Sequence, residues 1–282
     1  MRICRFNGDR LGLIEGDVLR DVSTVLDNLP GFRWARPLAD PVIAALPALR
    51  AGIEAAASQA PAISLADVVL EAPVAAPSKI IGAPVNYHAH MAEALADHAL
   101  HQGRTVHPID EIGCFLKAGS SLVGAGAAIA CPAEQGRVDY EGEIAVIIGK
   151  PAKDVMADNA LEHVAGYALA LDMSVRGKQD RSMRKSCDGF SVLGPVTTAD
   201  AVADPGKIAF ELRVNGEIKQ AADTSLLIRS VPELIGMCSA FYTLHPGDVI
   251  MTGTPAGVGP VVPGDRIVVT SPELGNLTAS IQ

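Results

Sequence analysis

Aromatic side chains are scarce in this 282-residue sequence, which holds one Trp, four Tyr and six Phe. Proteins that stack nucleic-acid bases need exposed aromatic platforms, so that class finds little support. Positive charge is also short. The 23 Lys and Arg against 32 Asp and Glu leave a formal net charge of −9. Phosphate backbones are gripped by clustered Lys and Arg, so no nucleic-acid partner is expected, whereas a small anionic substrate held by a few local charges still fits. Cysteine is sparse and unpatterned: Cys4, Cys114, Cys131, Cys187 and Cys238 are odd in number and form no C-x-x-C pair. That spacing opposes a disulfide framework and a zinc site, and it suits a reducing compartment. No apolar run is long enough to span a bilayer, and the start, Met1 to Asp9, lacks the apolar core of a secretory signal. A cytoplasmic protein with no membrane partner is the expectation. Gly253 to Gly259 is rich in glycine, yet it has neither Walker lysine spacing nor a dinucleotide fingerprint, which excludes nucleotide binding.

Hydrophobic residues make up 49% of the chain, ample for a core, and its length allows a small domain plus a larger one. Residues 1 to about 24 alternate short strand-like pieces with Asn7-Gly8-Asp9 and Glu15-Gly16-Asp17 turns, predicting a small meander. From Pro41 to Ala57 the apolar positions Ile43, Leu46, Leu49 and Ile53 keep helical spacing. Pro73 and Pro77, in a stretch of small residues, mark a linker, which divides the chain into residues 1–74 and 75–282. Beyond it, strands are expected at Lys79–Gly82, Phe115–Lys117 and Gly166–Leu171, with a helix or helix-forming loop from Asn86 to Ala96. His98 to Asp110 has no periodicity and is expected to be a mobile surface loop. Asp158 is the expected cap of a helix running towards Val164. Asn215-Gly216 between apolar runs predicts a hairpin, and Ser230-Val-Pro-Glu233 a capping box opening a helix to about Tyr242. Two Pro-Gly-Asp turns, at 246–248 and 263–265, each feed a strand. The later two thirds are therefore strand-rich, with a few short helices.

The chemistry centres on Val138-Asp-Tyr-Glu-Gly-Glu143, which leads into the apolar run Ile144–Ile148. On a strand, residues two apart share a face, so Glu141 and Glu143 project together, with Gly142 opposite. Paired carboxylates repel unless positive charge lies between them. The bland reading is a solvated strand end, or acids paired with Lys or Arg; the sharper one is a hard divalent cation, which favours carboxylate oxygens. Asp172, at the end of an apolar strand, is by itself an ordinary cap, but it could complete a set of three oxygens for Mg²⁺ or Mn²⁺.

These pieces together resemble the fumarylacetoacetate hydrolase family. The resemblance is carried by Lys79-Ile-Ile-Gly82 with Asn86-Tyr87, His90 and Glu93, then by Phe115-Leu-Lys117 with Ser120-Ser121, and then by the acid motif. It continues through Gly166-Tyr167 to Asp172-Met-Ser-Val-Arg176, Lys185-Ser186 and Gly247-Asp-Val-Ile-Met-Thr-Gly-Thr254 to Gly259. Six motifs in the family's order span most of residues 79 to 260.

The resemblance implies a strand-rich α+β fold: a mixed β-roll catalytic domain preceded by a small N-terminal α/β domain, commonly paired as a homodimer. It implies metal ligands at Glu141, Glu143 and Asp172 and a lid-borne dyad of His90 and Glu93. A catalytic lysine falls on Lys185, and substrate contacts fall on Arg176, Gln179, Thr254 and Lys117. The implied activity is metal-dependent hydrolysis of a carbon–carbon bond in an acylpyruvate or other 2,4-diketo acid, giving pyruvate or a related 2-oxo acid and a carboxylic acid. The alternatives are isomerisation or decarboxylation of a 2-oxo dicarboxylic acid on the same site, and a small-molecule-binding protein without turnover.

Elementary chemistry supports each role. A hard cation can take the 2-oxo and carboxylate oxygens together. A histidine oriented by a carboxylate can accept a proton from water, and a lysine can stabilise the resulting oxyanion. Glycine amides around Thr254 can approach a substrate carboxylate. Cys187 lacks a histidine partner and is expected to be inert, and the remaining histidines are expected to be structural. Two departures from the family pattern bear on substrate. Ala83-Pro84-Val85 stiffens the entry to the lid, and the stretch from Glu93 to Phe115 is long, with histidines from His88 to His107 as candidates for the distal pocket.

Overall fold

The computed structural model describes residues 1–31, 38–97, 100 and 105–282. Two central strands, Gly142–Ile148 and Val164–Asp172, run antiparallel and carry the longest pairing in the molecule, from Gly142↔Leu171 to Ile148↔Val164. Both are buried along nearly their whole length because the sheet is covered on both faces. Ile144, Val146, Ile148, Leu169 and Leu171 enter one hydrophobic cluster, while Ala145, Ile147, Ala168 and Ala170 enter the other. An alternating strand facing two cores needs apolar residues at every position, which is why these segments read as continuous apolar runs.

The first cluster packs against a separate sheet in which Ala209–Val214 lies between Glu217–Asp223 and Arg266–Ser271. Asn215 and Gly216, with φ of 51° and 86°, form the two-residue turn of the expected hairpin. Helix Val231–Phe241 opens on the expected capping box, with the Ser230 amide donating to Glu233 at 2.8 Å. The second cluster takes helix Pro41–Gln59, whose Ile43, Leu46, Leu49 and Ile53 face inward as the spacing requires. Asp40 caps it by accepting from the amides of Val42 and Ile43, each at 3.0 Å.

The meander Arg2–Phe6, Arg10–Glu15 and Val18–Asp21 forms as expected. It is continuous with the larger sheet, because Arg2–Phe6 pairs with Val196–Thr198, itself paired with Val164–Asp172. The segments before and after residue 75 thus share one sheet and one core cluster.

Two local expectations are corrected. The helix near residue 158 is the short turn Ala157–Ala160, continued as a 3-10 turn over Leu161–His163; Met156 holds its N-cap position without a side-chain capping bond, and Asp158 lies inside the first turn. The acid motif does not lie on one strand. Val138–Tyr140 pairs with Ser174–Val175 and Gly259–Val261 in a small sheet of its own, and the chain crosses to the central sheet at Glu141.

Of the segment expected as a mobile loop, residues 98, 99 and 101–104 lie outside the described residues, as do His98 and His101 with them. Ile109–Ile112 forms a single helical turn ended by Gly113 at φ 66°. Among the described residues no helix is long and apolar enough to cross a membrane.

Candidate active site

The three acids converge around the crossing at Glu141. Asp172 ends its strand beside this crossing, and its amide donates to the Glu141 carbonyl at 2.9 Å. Glu141, Glu143 and Asp172 are all buried, and each offers a carboxylate oxygen within 4.8 Å of the others.

Cations surround two of the three. Lys185 Nζ donates to Glu141 Oε2 at 2.7 Å and to Asp172 Oδ2 at 2.6 Å. Arg176 Nη2 donates to Glu141 Oε1 at 2.5 Å, and Lys117 Nζ bonds the other oxygen of Asp172. Burial alone would raise the Glu141 pKa, but Lys185 and then Arg176 outweigh it and hold the carboxyl well below the ordinary range. Glu143 accepts the Gly253 amide at 2.7 Å. Burial, then the negative charges of Asp172 and Glu141, push its pKa well above the ordinary range. Three convergent carboxylates, one of them resisting ionisation because it is buried beside the other two, form a donor set suited to a hard divalent cation.

Gly142 is where the backbone must come close. A Cβ there would sit 2.8 Å from Leu212 and 3.1 Å from the Gln220 side chain. Gln220 is fully buried and clamps the motif. It accepts the Gly142 amide at 2.9 Å and donates to Thr254 Oγ1 at 2.7 Å, and Thr254 donates in turn to the Gly142 carbonyl at 2.9 Å. Asp139 plays the matching part for Arg176, accepting from Nε at 2.7 Å while Arg137 binds its other oxygen at 2.5 Å. Neither Gln220 nor Asp139 was singled out from sequence. Asp139 sits inside the motif and was legible there; Gln220 lies on a distant hairpin and carried no signal.

His90, on helix His88–Ala96, bonds Glu93 Oε2 through Nδ1 at 2.9 Å, so the spacing of three joins them as expected. The other Glu93 oxygen accepts the Gly257 amide at 2.8 Å, which ties the helix to the glycine loop. The loop amides of Gly253 and Gly257 therefore bind the protein's own acids, Glu143 and Glu93, rather than standing ready for a substrate carboxylate. The root of the helix is pinned by buried Asn86, whose side-chain amide donates to the carbonyls of Arg229 and Thr252, both at 2.9 Å. Just before it, Val85 holds a φ of 45°, a strained conformation for a β-branched residue.

One cavity of about 550 Å³ is lined by His90, Glu141, Glu143, Asp172, Arg176, Gln179, Lys185 and Thr254. Of the expected site residues, Glu93 stands behind His90. Lys117 also differs from expectation. Its side chain is sealed from solvent, bonded to Asp172 and to the Phe190 carbonyl at 2.8 Å, so it braces a carboxylate instead of facing the cavity. His107 lines the cavity and pairs with Glu111 at 2.9 Å, whereas His88 is exposed outside it.

Comparison with known proteins adds an independent line. The family described as "Fumarylacetoacetate (FAA) hydrolase C-terminal" matches residues 79–282. A maleylpyruvate hydrolase of Aquipseudomonas alcaligenes is 49% identical over 100% of this chain and 99% of its own. A mitochondrial oxaloacetate tautomerase of Rattus norvegicus is 40% identical over 75% of this chain and 66% of its own. The crystal structure of a Sphingobium maleylpyruvate hydrolase, in complex with manganese(II) ion and pyruvate, superposes with a TM-score of 0.83. It is 40% identical and covers 100% of this chain and 98% of that one.

Proposed function

We propose, from the premise that this chain belongs to the fumarylacetoacetate hydrolase family, that it hydrolyses the carbon–carbon bond of an acylpyruvate, releasing pyruvate and a carboxylic acid. The observation that carries the reading is a single cavity lined by both a three-acid cluster and a histidine oriented by a carboxylate. The full-length similarity to a maleylpyruvate hydrolase supports the same reaction class.

Glu141, Glu143 and Asp172 would hold Mg²⁺ or Mn²⁺, the latter being the ion bound by the Sphingobium relative. When bound, such an ion supplies electrophilic polarisation of the 2-oxo acid end. The remaining chemistry falls to side chains. With Glu93 accepting from Nδ1–H, His90 keeps Nε2 as its basic nitrogen, the one able to take a proton from water. The hydroxide so formed attacks the C4 carbonyl, and the C3–C4 bond breaks as the carboxylic acid forms. C3 then takes up a proton to give pyruvate. Lys185, already set between two acids, supplies the positive charge for the oxyanion at C4. Arg176, braced by Asp139, and Gln179 orient the pyruvate part, with Thr254 shaping the wall beside it.

A second reading is tautomerisation or isomerisation of a 2-oxo dicarboxylic acid, favoured by the likeness to the rat oxaloacetate tautomerase. A panel of acylpyruvates and oxaloacetate, with Mn²⁺ or Mg²⁺, separates the two. Equal amounts of pyruvate and acid support hydrolysis; loss of enol absorbance without pyruvate release supports the second reading. A cytoplasmic homodimer belongs to the same proposal. Its support is the family and the scattered, odd cysteines, and sedimentation equilibrium tests the pairing.

A further inference from the structure

Two of the five cysteines meet although the chain separates them by 124 positions. Cys238 lies on helix Val231–Phe241, 2% exposed and facing the core four residues after Leu234. Cys114 is half-buried, between Gly113 and strand Phe115–Lys117. Their Sγ atoms stand 3.7 Å apart, with the Cys238 thiol donating to Cys114. Both are free thiols, the state that a reducing compartment maintains. The scattered spacing opposes a disulfide framework, but it does not bear on a pair that folding brings together.

The contact belongs to a seam that joins the cavity wall to this helix. Just ahead of the helix, Arg229 Nε donates to Asp110 Oδ1 at 2.6 Å. Fully buried Ile109 shares a small cluster with Leu234, and Cys114 packs against the same cluster. On the other side of the wall, Ile112 and Phe115 line the cavity. The Phe115 ring is wedged in place. Lys185 Nζ lies 5.3 Å from its centre, and a Cβ on Gly82 of the neighbouring strand would stand 2.2 Å from it. Two residues further on, Lys117 bonds Asp172. Movement of Cys114 towards the helix is therefore passed to Phe115 and the catalytic lysine, because a close-packed interior leaves no slack to absorb it.

We infer that Cys114 and Cys238 are a modification site for peroxides, a dithiol that closes to a disulfide and draws the cavity wall out of its catalytic position. The sulfurs must approach from 3.7 Å to about 2.05 Å, a movement that side-chain rotation and the adjacent Gly113, at φ 66°, can share. Cys114 reacts first. It is the more exposed sulfur, and the S–H of Cys238 holds its pKa below the ordinary thiol value. The Cys114 thiolate attacks one oxygen of hydrogen peroxide, the O–O bond breaks, and the departing hydroxide takes up a proton as water, leaving a sulfenic acid. The Cys238 sulfur then gives up its proton and attacks Cys114. The S–S bond forms as the S–O bond breaks, and hydroxide and proton leave as water. The two thiols lose two electrons, and one peroxide becomes two waters. This thiol chemistry stands apart from the acylpyruvate reading; only its effect on turnover rests on that reading.

The test exposes Mg²⁺-loaded protein to hydrogen peroxide, removes the oxidant and maps disulfides by mass spectrometry of unreduced peptides. A Cys114–Cys238 link within one chain is expected, with two of the five thiols lost. Turnover of an acylpyruvate is expected to fall at least about tenfold, since small displacements of positioning groups are costly, and dithiothreitol should restore both thiols and turnover. Cys114→Ser is expected to keep its turnover under the same treatment. Cys238→Ala is expected to stop at a Cys114 sulfenic acid that dimedone captures. Either variant suffices if the other fails to fold. Peptide maps that lack the Cys114–Cys238 link, or that join other cysteines instead, overturn the site. An equal loss of turnover in Cys114→Ser, or a link that leaves turnover unchanged, overturns its hold on the cavity. If the untreated wild type hydrolyses no acylpyruvate, the hydrolase reading fails, and the peptide map still decides for or against the dithiol.

Discussion

Within the acid cluster, Glu141 and Asp172 each meet a lysine ammonium, whereas Glu143 is held by the Gly253 amide. Glu143 is thus the acid whose charge is least compensated, and its raised pKa reflects burial first and its two acidic neighbours second. Glu143→Gln is expected to lower metal-dependent turnover by roughly 100-fold or more, since removing even a supporting group of a metal site costs 10- to 100-fold. In the presence of chelator the same variant should melt at the wild-type temperature or above it, because Gln removes the cost of keeping a buried acid beside two others, whether ionised or held protonated. A melting temperature well below wild type under chelator would contradict that account. His90→Ala separates the other half of the site. Loss of general-base catalysis should cost about 10²- to 10⁴-fold in kcat, while Mn²⁺ affinity measured by titration stays near wild type. Hydrolysis at an unchanged rate would remove His90 from the mechanism.

At the level of elements, the site depends on joints between them. The glycine loop after strand Val249–Met251 reaches the helix of His90 through Gly257, at φ 99°, and Glu93. A Cβ on Gly257 would come within 1.9 Å of the Lys219 carbonyl, so no other residue fits without moving the loop. Gly257→Ala is expected to cost about 2 kcal/mol or more of stability, seen as a lower melting temperature. Turnover should also fall, because Glu93 loses an amide partner and His90 its fixed orientation. Wild-type values for both would show that the loop and the helix are not coupled. Sequence marked this loop as glycine-rich but assigned its amides to a substrate carboxylate. The pattern of glycines reports backbone freedom, not which carboxylate will fold against it.

For the molecule as a whole, the cluster should link metal binding to stability. A cation that binds the folded chain and not the unfolded one stabilises by mass action, about 2.7 kcal/mol at a concentration 100 times its dissociation constant. Mn²⁺ is therefore expected to raise the melting temperature of chelator-treated protein and restore turnover together. A rise in one without the other would separate the metal site from catalysis. The N-terminal meander and helix Pro41–Gln59 share in this stability, since the meander extends the sheet and the helix packs into the second cluster on one face of it, while the other face carries the first cluster.

Short-range physics was legible in the sequence. The 3.6-residue spacing of Ile43 to Ile53, the Asn215-Gly216 turn, the Ser230–Glu233 capping box and the His90–Glu93 pair each depend on residues a few positions apart. The identity of the acid motif was also plain, and with it the chemistry it could support. Tertiary structure decided how the charges are shared. Lys117 bonds an acid 55 positions away, Gln220 clamps Gly142 across 78, Gly253 meets Glu143 across 110 and Gly257 meets Glu93 across 164. The crossing between sheets at Glu141 belongs with these contacts. Buried charges and amides must find partners wherever the packed elements bring them, and that demand acts through space rather than along the chain.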